Sequence, residues 1–186
     1  MTENTKSRDL LDTKYGTFKA GSFEVKKGAN DKEYGIATLV AGEKEFTVYG
    51  HGKMADELKA KVEAGEPGFV MGELLAKGKG ISASKFATST YEIHVTEVKK
   101  EGSNEYGDWA TMTFQRADKD KPTHLMVTGD EVARLKAAHA SGEKISVDVA
   151  WTAGKNGDDW MTSAITANNL IRDPAAKKDE TPEPQM

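Results

Sequence analysis

The stretch EVKKGANDKEYG, residues 24–35, has a near-twin in EVKKEGSNEYG, which starts at Glu97. In each, EVKK leads through a short Gly/Asn connector to Glu-Tyr-Gly. One such segment reads as an ordinary turn between strands. Two of them suggest an internal duplication, and the flanking sequence carries the match further. After the first EYG comes GIATLV from Gly35, and after the second comes DWATMTF from Asp108. Both alternate with the period of two that predicts a strand. Each copy then has a strand ending in glycine, EFTVYG up to Gly50 and THLMVTG up to Gly129.

Helical patterns follow both glycines. Met54, Leu58 and Val62 recur at i, i+4 and i+8, and Val132, Leu135 and His139 share one face in the second copy. AGEPG at Ala64 and SGEK at Ser141 supply a glycine where each helix should stop. A fourth strand is predicted in GFVMGELLAKGKG and in KISVDVAWTAGKNG. The last is placed in STYEIHVTEVKK for the first copy and DWMTSAITANNLI for the second. On this reading EVKK ends the first strand of one unit, and at Glu97 it closes that unit's fifth strand and leads into the next.

Strand, strand, strand, helix, strand, strand is the order of the oligonucleotide/oligosaccharide-binding (OB) barrel. The expected fold is mainly β, with two tandem OB barrels, each with one helix between its third and fourth strands. The competing arrangement is one larger β domain with two helices. Residues 1–14 are expected to be a flexible N-terminus, 15–99 the first unit, 100–172 the second, and 173–186 a disordered tail rich in Pro and charge.

Bulk properties fit two small units. The 186 residues are 37% hydrophobic, with no cysteine and a net charge of −4. Disulfides, thiol nucleophiles and cysteine-bound zinc are thereby excluded. No apolar run approaches the roughly 20 residues of a membrane span, and the polar N-terminus lacks a signal-peptide core. A cytoplasmic protein is expected. The acidic balance gives no overall attraction to nucleic acid, which depends instead on local basic grooves.

TVYGHGKMADEL followed by GFVMGEL resembles bacterial-type single-stranded DNA-binding proteins, through Tyr49, Gly50, Lys53, Ala55, Val70, Gly72, Glu73 and Leu74. The likeness covers roughly residues 15–99, with His51 and Gly52 inserted before Lys53. The second unit has Thr128 in place of Tyr49. The tandem layout looks more like a phage or plasmid relative, and a dimer would present the four barrels common in that family. The resemblance implies sequence-independent binding of single-stranded DNA in replication, recombination or transfer, alongside proteins of those processes. In that family an aromatic at the Tyr49 position stacks on bases.

Base stacking on aromatics and phosphate neutralisation by lysines are what such binding requires. In EFTVYG, Phe46 and Val48 share one face, which leaves Tyr49 on the other. The segment AKGKGISASKFATST, read as a long loop between strands four and five, adds Lys77, Lys79, Lys85 and Phe86. In the second unit Lys155 and Trp160 flank an Asn-Gly turn, while the alternation through Val147 and Val149 puts Trp151 on the inward face. Asp158 and Asp159 would repel phosphate there. Tyr34 and Tyr106 recur by the repeat as structural corners or loop stackers.

The four histidines, His51, His94, His124 and His139, have no metal-ligand spacing. No GxSxG or P-loop is present, Gly80 following Lys79 where the latter needs Ser or Thr. Neither an enzyme nor a cofactor is expected. The rival functions are a protein-binding OB module docking on a host protein and an RNA-binding OB protein.

Overall fold

The structure is a computed structural model, and it describes residues 10–75, 79–116, 119–156 and 159–171, the side chains of residues 155, 156, 159 and 160 excepted. The described residues fall into two compact units, one running up to Thr88 and including Trp151–Ser163, the other comprising Ser89–Ala150 and the chain from Ala164 onward.

The first unit contains β1 (Leu11–Phe18), β2 (Glu24–Lys27), β3 (Glu33–Ala41), β4 (Lys44–His51), α1 (Lys53–Ala64), β5 (Gly68–Leu75) and β6 (Gly80–Lys85). Its strands run β1-β5-β6-β4-β3 in space, and pairing of β1 with β3 through Thr17↔Val40 and Phe18↔Leu39 closes the sheet on itself. A parallel β4–β6 pair, Thr47↔Gly80 to Tyr49↔Ser82, completes the OB topology.

Alternation fills the barrel. Ala37, Leu39 and Val48 are buried inside it, with Val70 and Ile81 from the other strands. Helix α1 packs on β3 and β4, burying Leu58 and Val62 one turn apart. It ends where Gly65 takes φ +65° and its N–H bonds the Lys61 carbonyl, the left-handed cap expected from the sequence.

The second barrel is built from β7 (Ser89–Asn104), β8 (Gly107–Gln115), β9 (Thr123–Thr128), α2 (Glu131–Ser141), β10 (Ile145–Asn156), β11 (Asp159–Thr166) and α3 (Asn168–Ile171), the part of the β10–β11 hairpin from Trp151 to Ser163 being counted with the first compact unit. It closes in the order β10-β11-β9-β8-β7, with β7 pairing both β10 and β8 and β11 parallel to β9. Met112, Phe114, Leu125, Val127, Val147 and Val149 are buried in its core. Helix α2 packs on β7 and β9, burying Val132, Leu135 and Ala138. The His139 ring donates from Nδ1 to the Val95 carbonyl (3.0 Å).

Two tandem OB barrels are therefore present, but several strands differ from the sequence reading. The fifth strand of the first unit is β6, and STYEIHVTEVKK belongs to β7, the first strand of the second unit. Consequently Gly80–Lys85 of the supposed long loop is strand. Ile81 and Ala83 face the core while Ser82 and Ser84 do not, so a stretch whose glycines and lysines suggest a loop is an alternating strand. β1 also begins at Leu11, within the segment expected to be flexible, and Asp12 and Thr13 are buried.

EVKK at Glu24 does not end β1. It forms a separate strand along β3, after a turn at Lys19–Phe23 held by Lys19 N–H to the Thr38 carbonyl (2.8 Å). Both EVKK copies nonetheless lie in the same place, pairing with the second strand of their barrel. The EYG copies diverge: Tyr34 is in strand opposite Lys26. Tyr106 lies in the β7–β8 turn, its N–H bonded to Asn104 Oδ1 (2.9 Å).

Candidate nucleic-acid interface

The face formed by the second and third strands of an OB barrel, with the adjoining loops, is where such folds bind oligonucleotides. In the first unit these strands are β3 and β4. Residues opposite one another across the ladder share a face, so the register arranges the outer surface in rows. Lys26, Tyr34 and His51 form one row, and Glu24, Ile36, Tyr49 and Ser82 the next. Thr38 and Thr47 lie beyond them.

Three rings meet on this face. Tyr34 and Tyr49 have ring centroids 6.1 Å apart, and Tyr34 and His51 5.6 Å. Tyr49 is half-buried because its ring lies over Gly80 of β6, where a Cβ would come within 3.1 Å of the Tyr49 ring edge. Next to this cluster is a shallow hollow of about 370 Å³, lined by Lys19, Ser22, Ile36, Thr38 and Thr47. Lys19 also stands 3.8 Å from Glu45, both side chains well exposed, so that pairing is weak and leaves the ammonium available to another anion.

The residues singled out from the sequence are distributed as follows. Val48 is fully buried and Phe46 packs against the core, which leaves Tyr49 on the outer face as the alternation predicts. Lys53 is exposed at the first position of α1. Lys79 is exposed in the turn before β6, where its carbonyl accepts the Thr47 N–H (3.0 Å). Lys85 is half-buried at the end of β6, opposite Met71. Phe86 does not join the face: it packs against the core, meeting Phe18 edge-on at 6.4 Å. Lys77 and the side chains of Lys155 and Trp160 lie outside the described residues.

His51 is the member of the cluster that sequence reasoning left without a binding role, and Tyr34 was left open between a structural corner and a loop stacker. The available signal was the repeated EYG, but only the β3–β4 register shows that Tyr34 falls beside Tyr49. Among the described residues no group of three or more His, Asp or Glu is placed to hold a metal ion, and no helix is long and apolar enough to cross a membrane.

No protein-family model matches the chain, and no curated protein matches it by sequence. Among solved structures it is similar to the wild-type single-stranded DNA-binding protein from Thermus aquaticus, at 11% identity and a TM-score of 0.37, over 84% of this chain and 89% of that one. It is also similar to a murine DNA-binding protein bound with double-stranded DNA, at 12% identity and a TM-score of 0.31, over 84% and 96% of the two chains. The OB assignment rests on the strand order and not on these superpositions.

Proposed function

We propose that the chain binds single-stranded DNA without sequence preference, through the β3–β4 face of its first unit, and makes or breaks no covalent bond. The observation that carries this is the cluster of Tyr34, Tyr49 and His51 on the face that OB barrels use for oligonucleotides. Every base offers a π-face, so stacking on such rings tolerates any sequence. Lys26, in the row of Tyr34, and Lys19, at the hollow, are placed to neutralise phosphates. Such an activity would serve replication, recombination or transfer.

The test is fluorescence anisotropy of a labelled oligo-dT against the full chain and its Tyr49→Ala variant, at low and moderate salt. Salt-sensitive binding that weakens by about 5- to 150-fold on substitution is expected from the loss of one stacked base. Absence of binding at low salt overturns the proposal. An equal-length RNA oligomer, run in parallel, decides between the two polymers.

A further inference from the structure

In the second unit the outer face of β8 and β9 repeats the design of the first with its parts exchanged. The pair Ile36↔Tyr49 lies one residue on from Gly35↔Gly50. Its counterpart, one residue on from Asp108 and Gly129, which are joined by the Gly129 N–H to the Asp108 carbonyl (2.9 Å), is Trp109↔Thr128. The aromatic residue has moved from the third strand to the second but keeps its place on the barrel. It also keeps its seat on a glycine. A Cβ on Gly102 would fall 2.9–3.1 Å from three atoms of the Trp109 indole, so the ring covers Gly102 as Tyr49 covers Gly80.

The surroundings of Trp109 suit a base. Met126, 40% exposed, and Ile165 stand opposite each other in the next row. With Trp109, Thr128, Asp108 and Asn169 they line a hollow of about 400 Å³. Isolated exposed apolar residues need no explanation, but an indole, a thioether and an isoleucine side by side on one sheet face do. Further along the same face, a second hollow of about 550 Å³ is lined by Lys99, Lys121, His124, Thr113 and Glu97. Thr113 is four residues from Trp109 on β8, which is roughly 13 Å along the strand. Lys100, exposed and opposite Thr111, lies between the two hollows. The face thus has an apolar aromatic end and an end where two lysines and a histidine outnumber one glutamate.

We propose that this face of the second unit is a second single-strand-binding site, with Trp109 stacking on a base and Lys99, Lys100 and Lys121 meeting the phosphates beyond it. The inference rests on the function proposed for the first unit, and it assigns binding to residues of β7, β8 and β9 in place of the Lys155–Trp160 turn. Asp108 and Glu97 flank the site, so its affinity comes more from stacking than from charge and falls less steeply with salt than that of the first unit.

The test uses the full chain and labelled oligo-dT. In a Tyr49→Ala background, which weakens the first site, the remaining affinity should fall by about 5- to 150-fold on adding Trp109→Ala and should be largely retained with Trp109→Phe. A Trp151→Phe/Trp160→Phe chain leaves Trp109 as its one indole, whose fluorescence should be quenched at saturating oligo-dT. If the wild-type chain binds oligo-dT but Trp109→Ala changes affinity less than twofold and Trp109 is not quenched, the second site is overturned while the first stands. If the wild-type chain does not bind at low salt, both readings fall.

Discussion

Tyr49 of β4 rests on Gly80 of β6, so closely that a Cβ on the glycine would stand 3.1 Å from the ring edge. The two residues are neighbours through the parallel β4–β6 pairing, Gly80 lying opposite Thr47 and Ser82 opposite Tyr49. One side of the ring is thereby fixed against backbone, which lowers the ordering cost of placing a base on the other.

Gly80→Val should therefore act through Tyr49. Valine suits a strand, so the barrel should stay folded while the ring is displaced. Oligo-dT affinity should drop toward that of Tyr49→Ala, and the double variant should be no weaker than Tyr49→Ala. Anisotropy titrations of the four chains form a double-mutant cycle, and additive losses would show that Gly80 does not position the ring.

Lys26 makes a separate prediction because it acts by charge. It pairs with Glu24 at 3.9 Å with both side chains largely exposed, which costs little to exchange for a phosphate. Lys26→Gln should reduce the slope of log affinity against log salt by about 0.7, the single-strand value for one contact. Binding at several salt concentrations measures it, and an unchanged slope would remove Lys26 from the phosphate track.

Much of this architecture is legible in the residues because alternation reports burial directly. Ala110, Met112 and Phe114 inside against Trp109 and Thr111 outside is one instance, and Leu58 with Val62 on one helix face is another. β6 escaped because Gly-Ile-Ser-Ala-Ser-Lys holds one β-branched apolar residue, Ile81, and its strand conformation is secured by the non-local pairing with β4. Misplacing it moved residues 89–99, the greater part of β7, into the wrong barrel. Nothing in the linear sequence shows Thr128 opposite Trp109 or Gly102 beneath it. Phe86 lies away from the Tyr34–Tyr49 face for the complementary reason: an aromatic in a Lys/Gly-rich stretch looks exposed until the Phe18 ring is found against it.

Leu58 has no exposed surface and joins α1 to the core of the first barrel. Leu58→Ala should cost about 2–5 kcal/mol, the range for a buried leucine whose cavity closes only in part. Chemical denaturation should show a lower midpoint, whereas Leu58→Met should cost less than about 1.5 kcal/mol. A loss below 1 kcal/mol for the alanine variant would mean that α1 is not held by this contact.

Asp12 ties β1 to the hairpin segment of the first unit. Asp12 is buried, and its carboxylate accepts the Thr13 N–H at 2.9 Å and the Ala153 N–H at 3.4 Å and pairs with Lys14 at 3.0 Å. Beside it the Trp151 N–H donates to Thr13 Oγ1 (3.2 Å) and the Leu11 N–H to Thr162 Oγ1 (3.2 Å). Asp12→Ala leaves two backbone donors without their acceptor, at about 1–3 kcal/mol for each that stays dry. Lys14 suffers less, since 27% of its side chain is exposed and its ammonium also lies 4.6 Å from the centre of the Phe46 ring. Asp12→Asn keeps one acceptor oxygen and should recover part of the loss. Hydrogen exchange at the Ala153 amide should accelerate in Asp12→Ala more than exchange in β8 or β9 of the second unit. Equal acceleration everywhere would show that Asp12 supports the chain as a whole and not this hairpin.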